Sequence, residues 1–128
     1  MEKDFDKWNL EKKRLHSMGL RKSAHQRDVW WCALGLNLGS EEDGKGWNYL
    51  RPVLILKSFG NVICTILPIS TSNKEHWTKI EIGFINNRPS KILLNQIRSV
   101  DTRRLIRKIC RLDNSKYEEI RKAVRDIF

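Results

Sequence analysis

The sequence predicts a mainly β fold, a small antiparallel barrel with one helix near each end of the chain. Three observations carry that expectation. Short apolar runs of strand composition recur between turn signals from residue 29 onward. Helical spacing of apolar residues is confined to residues 2–18 and to the end of the chain. The 128 residues suffice for a single core, with no internal repeat and no low-complexity segment.

In chain order, residues 2–18 predict a helix, with Phe5, Trp8, Leu15 and Met18 on a narrow apolar face and Gly19 as its stop. That face suits docking on the main domain or on a second subunit; a basic arm touching nucleic acid is the alternative. Polar residues Ser23–Gln26 divide an N-terminal helical extension and linker, residues 1–25, from a barrel domain, residues 26–128. Val29–Leu34 predicts a strand whose adjacent Trp30 and Trp31 must point to opposite faces, one into the core and one towards a loop or partner. Strands at 52–57 and 62–67 flank a turn at Phe59-Gly60-Asn61 and read as a hairpin. A turn rich in hydroxyl groups begins at Pro68, and further strands are expected at 76–85, 92–94 and 97–100. Asp101 is placed to cap one helical turn through Leu105. Ser115-Lys116-Tyr117-Glu118 fits a capping box that starts a helix with the apolar stripe Tyr117, Ile120, Val124 and Ile127.

The formal charge is +10 and the isoelectric point about 9.9. Such a balance implies a polyanionic partner, RNA first, then DNA, an acidic protein or an anionic membrane surface. Cys32, Cys64 and Cys110 are far apart and odd in number. They indicate neither a zinc site nor a disulfide framework, and suit buried thiols in a reducing compartment. No apolar N-terminal run marks a secretion signal, and no stretch reaches the length of a membrane span. A cytoplasmic protein is expected, with no metal or cofactor implied.

The chemistry concentrates around one stretch. Gly39-Ser40-Glu41-Glu42-Asp43-Gly44 is an acidic loop with glycine at both ends, able to approach a ligand closely. A few residues later Pro52 fixes its own φ and biases Arg51 towards an extended conformation at the mouth of a strand expected to be covered on both faces. A guanidinium on a rigid edge suits a phosphodiester.

Four blocks resemble the MazF/PemK toxins, ribosome-independent endoribonucleases of type II toxin–antitoxin systems. They are Asp28-Val29-Trp30-Trp31; Gly39-Ser40-Glu41 leading to Arg51-Pro52-Val53-Leu54; Pro68-Ile69-Ser70-Thr71-Ser72; and Leu94 through Asp101 with Arg104-Leu105. The likeness spans about residues 27–128. It implies an SH3-like barrel, usually a homodimer, that cleaves single-stranded RNA without metal and is held by a cognate antitoxin with an acidic flexible segment. It implies Arg51 and Ser70 as the catalytic pair, with Thr71 as the neighbour able to substitute, and RNA contacts at Ser40, Glu41 and Gln96. Departures are Arg27 where these toxins commonly have glycine, a longer loop before Arg51, and the N-terminal helix, which lies outside the core family.

Metal-free cleavage uses the 2′-hydroxyl as nucleophile. Arg51 can neutralise charge on the phosphorane. Guanidinium groups hold their proton, so Glu41 is the candidate acceptor if a base is used. Ser70 or Thr71 can bond a non-bridging oxygen. Trp47, Asn48 and Tyr49 are candidates for reading a splayed base. Arg98, with Arg103, Arg104, Arg107, Lys108 and Arg111, forms a basic run that either tracks a phosphate backbone or is plain solvated surface. His76 offers a ribonuclease-like alternative base. For Arg51 a surface ion pair with Glu41 or Asp43 is the bland alternative, and for Ser70–Ser72 an ordinary turn. Two rival functions keep the fold: a CcdB-like toxin acting on DNA gyrase, or a non-catalytic nucleic-acid-binding barrel. Retention of both Arg51 and a hydroxyl at Ser70 argues against the first.

Overall fold

The computed structural model describes residues 5–18, 20–35, 50–72 and 78–128. Helix α1 is Phe5–Met18. Seven strands follow: β1 Asp28–Ala33, β2 Leu50–Phe59, β3 Ile63–Ser70, β4 Lys79–Ile85, β5 Arg88–Leu93, β6 Arg98–Asp101 and β7 Leu105–Arg111. Helix α2, Asn114–Ile127, ends the chain. Short 3₁₀ turns at Leu94–Gln96 and Thr102–Arg104 link β5 to β6 and β6 to β7.

The strands form one antiparallel sheet in the order β4-β5-β3-β2-β1-β7, with β6 paired to β3. Strand β3 changes partner along its length, meeting β6 through Ile63–Ile66 and β5 at Ile69 and Ser70. Register shifts interrupt β1–β7, β2–β3 and β4–β5. Bulges of this kind bend strands and increase their twist, so the sheet curls into half a barrel. The SH3-like architecture expected from the sequence is therefore present.

Both faces of the central strands are covered. Val29, Leu54, Leu56, Leu67 and Ile69 pack in one cluster with Tyr117 and Ile120 of α2. Trp30, Cys32, Val53, Ile55, Cys64 and Ile66 alternate with them into a second cluster, closed by Val100 and Leu105. Strands buried on both sides read as near-continuous apolar runs, as 53–56 and 66–69 do. Tyr117 also donates its hydroxyl to the Leu56 carbonyl at 2.7 Å, pinning α2 to β2.

The two tightest turns explain their own sequences. Asn86 and Asn87 both have positive φ, which suits the type I′ geometry of their two-residue hairpin, and Gly60 and Asn61 share that sign in the three-residue loop closed by Phe59 and Ile63. Arg27 also lies in the left-handed region, at φ 78. Three hydrogen bonds hold it there: its N–H to Ile55 O, its carbonyl from Leu112 N, and its Nε to Leu112 O at 2.9 Å. Such a position favours glycine, and here an arginine occupies it.

Several expected boundaries are corrected. Strand β3 continues through Pro68 to Ser70, so the turn starts at Thr71. Strand β5 begins at Arg88, not at residue 92. Residues 105–111, read only as part of a basic run, are strand β7, with Leu105 buried. The α2 cap is Asp113, whose carboxylate accepts from Ser115 N and Lys116 N, not Ser115. The helix start at residues 2–4 and the stop at Gly19 fall outside the described residues, as do the side chains of Leu15 and Met18.

Helix α1 docks on the barrel through Trp8, which is 5% exposed. Its indole packs with Ala33, Leu50 and Ile106. Gly35, at φ +75, lies directly beneath the ring, and a Cβ there would overlap the indole.

Candidate active site

Arg51 follows Leu50 at the start of β2 and pairs with Cys32 of β1. The side chain is only 6% exposed, and its Nη1 donates to the Ile69 carbonyl at 3.2 Å. That bond ties the guanidinium to β3 one residue before Ser70. Glu41 and Asp43, the partners in the ion-pair alternative, lie outside the described residues.

Arg51 lines a cavity of about 260 Å³ together with Trp31, Leu50, Pro52, Ile69, Thr71, Ile85, Asn86, Arg88 and Ser90. Among the described residues, the lining holds no carboxylate. Two guanidinium groups, those of Arg51 and Arg88, border this one small hollow. Besides Leu50 and Pro52 of β2, the walls come from three places. Strand β1 supplies Trp31, opposite Pro52 in register. The end of β3 supplies Ile69 and Thr71, and the Asn86-Asn87 hairpin supplies Asn86, Arg88 and Ser90. Ser90 Oγ donates to the Arg88 carbonyl at 2.8 Å, which stiffens that hairpin arm.

The tryptophan pair divides as anticipated. Trp30 is buried in the core, while Trp31 is half-buried and turned to the cavity. Ser70 is buried, and its Oγ accepts the Ser72 N–H at 3.1 Å. That is the turn-type bond of the bland reading, and it leaves the Ser70 O–H as a donor. Thr71 is exposed and lines the cavity directly.

Other candidates lie elsewhere. Gln96 ends a 3₁₀ turn and Arg98 opens β6 opposite Ile66; both are half-buried and neither lines the Arg51 cavity. Arg104 approaches Trp8, and burial followed by the neighbouring Arg98 lowers its pKa from the usual arginine range. Lys108 pairs with the buried Asp28 at 3.2 Å, so this member of the basic run is structural. Ser40, Glu41, Trp47, Asn48, Tyr49 and His76 lie outside the described residues. Sequence reasoning missed Arg88, Asn86 and Ser90. The signal that exposes them is the Asn86-Asn87 dipeptide, a hairpin mark that folds the β5 start back towards Arg51.

A profile of the PemK-like, MazF-like toxins of type II toxin–antitoxin systems matches residues 25–128. The chain is 32% identical over 108 residues to endoribonuclease EndoA of Bacillus subtilis, covering 76% of this chain and 87% of that protein. Its fold matches MazF from Deinococcus radiodurans with a TM-score of 0.68 at 17% identity, over 83% of this chain and 96% of the other. A mycobacterial endoribonuclease in complex with its cognate antitoxin matches with a TM-score of 0.59 at 13% identity, over 81% of this chain and 93% of the other. At such identities the two structural matches speak for the fold, and the sequence matches speak for descent. The chain belongs to the PemK-like, MazF-like toxins of type II toxin–antitoxin systems.

Proposed function

We propose that this toxin is a metal-independent, sequence-specific endoribonuclease that cuts single-stranded RNA by attack of the 2′-hydroxyl on the adjacent phosphorus. The observation that carries the reading is Arg51, a guanidinium 6% exposed that borders the cavity beside Thr71 and is tied to the Ile69 carbonyl one residue before Ser70. In the reaction the 2′-oxygen loses its proton, bonds to phosphorus, and expels the 5′-oxygen, which takes up a proton. The products are a 2′,3′-cyclic phosphate and a 5′-hydroxyl. Arg51 neutralises the equatorial oxygens, where negative charge builds. A hydroxyl of Ser70 or Thr71 donates to a non-bridging oxygen, and Glu41 accepts the 2′-proton. Trp31 offers a ring for a neighbouring base, with Trp47, Asn48 and Tyr49 reading its edge. Gln96 and Arg98 contact RNA away from the cavity, the latter as part of a salt-sensitive basic surface. A homodimer and a cognate antitoxin in the cytoplasm complete the reading.

Separate Ser70→Ala and Thr71→Ala variants test the chemistry, with product ends identified by mass. Removing the true donor lowers kcat by about 10²–10³, as for an oxyanion donor elsewhere. Ser70 is favoured by the family block and Thr71 by its exposure to the cavity. Full activity in both variants, or 3′-hydroxyl ends, would refute the mechanism.

A further inference from the structure

Helix α1 precedes the region shared with the toxin family, which begins at residue 25. It is nonetheless fixed to the barrel at two points. Trp8 is clamped between Ala33, Leu50 and Ile106, with the Arg104 guanidinium 5.6 Å from its ring centroid. Further along, Arg103 Nη1 donates to the His16 carbonyl at 2.8 Å while its other nitrogens hold Asp101.

The position of the Trp8 contact is what matters. Leu50 belongs both to the Trp8 cluster and to the wall of the Arg51 cavity. Gly35 is the residue over which the indole sits, and its missing Cβ is what permits the approach. A single side chain thus bears on the end of β1 and on the residue preceding Arg51. Trp8 lies outside both main core clusters. A loss there relaxes this corner without opening the centre of the fold.

We propose that α1 is a brace for the Arg51 cavity and that Trp8 is a positioning residue, acting through Leu50 and Gly35. The inference rests on the ribonuclease reading above. Without the indole, the half-buried Leu50 can rotate into the vacated space and the wall beside Arg51 shifts. Chemistry that depends on a held phosphate is sensitive to such shifts. A helix that merely docked would change stability and leave turnover by the folded protein untouched.

The test uses the full chain and four variants, Trp8→Ala, Trp8→Leu, Trp8→Phe and Leu10→Ala. Leu10 lies on the same helix, is 67% exposed, and serves as the control. Each variant is first shown to be folded by circular dichroism at the assay temperature. Then kcat and KM are measured on a short RNA and cut positions mapped on a long one. The brace predicts a fall in kcat of about tenfold or more for folded Trp8→Ala, by the sensitivity of positioned groups to displacement. It predicts substantial rescue by phenylalanine, wild-type rates for Leu10→Ala, and weaker selection among cut sites in Trp8→Ala. Should Trp8→Ala fail to fold, Trp8→Leu keeps the cluster apolar and carries the same comparison. Wild-type kcat, KM and cut positions in a folded Trp8→Ala or Trp8→Leu would overturn the brace while leaving the ribonuclease intact. A wild type that cuts no RNA would remove the ribonuclease reading, and the brace with it.

Discussion

Asp28 opens β1 with its side chain 1% exposed, and its replacement by alanine gives a sharp test of how the barrel is held. Its Oδ2 accepts from His25 N at 3.0 Å and from Trp30 Nε1 at 3.3 Å. Its Oδ1 faces Lys108 Nζ at 3.2 Å. Alanine leaves the buried Trp30 indole without an acceptor, at about 1–3 kcal/mol, and the part-buried His25 N–H likewise, at about 1 kcal/mol. The ion pair adds less, because Lys108 is 46% exposed, and such half-solvated pairs contribute about 1 kcal/mol or under. The expected loss is therefore about 2–5 kcal/mol, or a fall in Tm on the order of 10 °C. Asp28→Asn keeps an acceptor oxygen and costs less, though its amide then faces Lys108. Lys108→Met costs about 1 kcal/mol. Urea unfolding followed by far-UV circular dichroism measures all three without relying on Trp30 emission. An Asp28→Ala loss below about 1 kcal/mol would refute the reasoning, since it would mean that those donors are re-satisfied by water.

Further predictions concern the helix cap, acid stability and the thiols. Asp113→Ala removes the α2 cap and costs about 1 kcal/mol in urea unfolding, and Ser115→Ala costs less; the reverse order would restore the capping-box reading. Hydrogen bonding to Arg103 holds the Asp101 pKa down to about 2. A depressed carboxylate stabilises the fold above its unfolded pKa of about 4, and that contribution is lost as pH falls through 4 towards 2. Arg103→Gln narrows this window, as carboxylate titration by NMR would record; an unshifted Asp101 would contradict it. Burial pushes the Cys32 thiol up to about 12 and the Cys64 thiol to about 11. Both therefore resist alkylation at mildly alkaline pH until the protein unfolds, and fast native-state labelling of Cys32 by mass spectrometry would count against this.

The sequence exposed the fold wherever pattern and burial agree. Residues 53–56 and 66–69 read as strands because both of their faces are covered, and Trp30 and Trp31 separated because a strand alternates. Strand β7 was hidden for a physical reason. It pairs on one side with β1 through two register shifts, and its exposed Arg107, Lys108 and Arg111 look like solvated charge. Helix α2 showed its stripe but not its cap, since Asp113 and Ser115 are both good cap residues and only geometry distinguishes them. At the site, Arg51 stood out through the proline beside it and the family block around it. Arg88 did not, because its place in the cavity depends on how the Asn86-Asn87 hairpin folds back. The choice between Ser70 and Thr71 is likewise invisible in composition; strand direction and the Ser72 N–H decide where each hydroxyl lies.

The central claim is that Arg51 carries metal-independent RNA cleavage. Its most direct test is incubation of a long single-stranded RNA with folded, antitoxin-free protein in EDTA, wild type beside Arg51→Ala. The account predicts discrete cuts at a short recurring sequence by wild type, reduced by about 10²-fold or more in the variant. Equal cutting by a folded Arg51→Ala, or no cutting by wild type at any salt concentration, would contradict it.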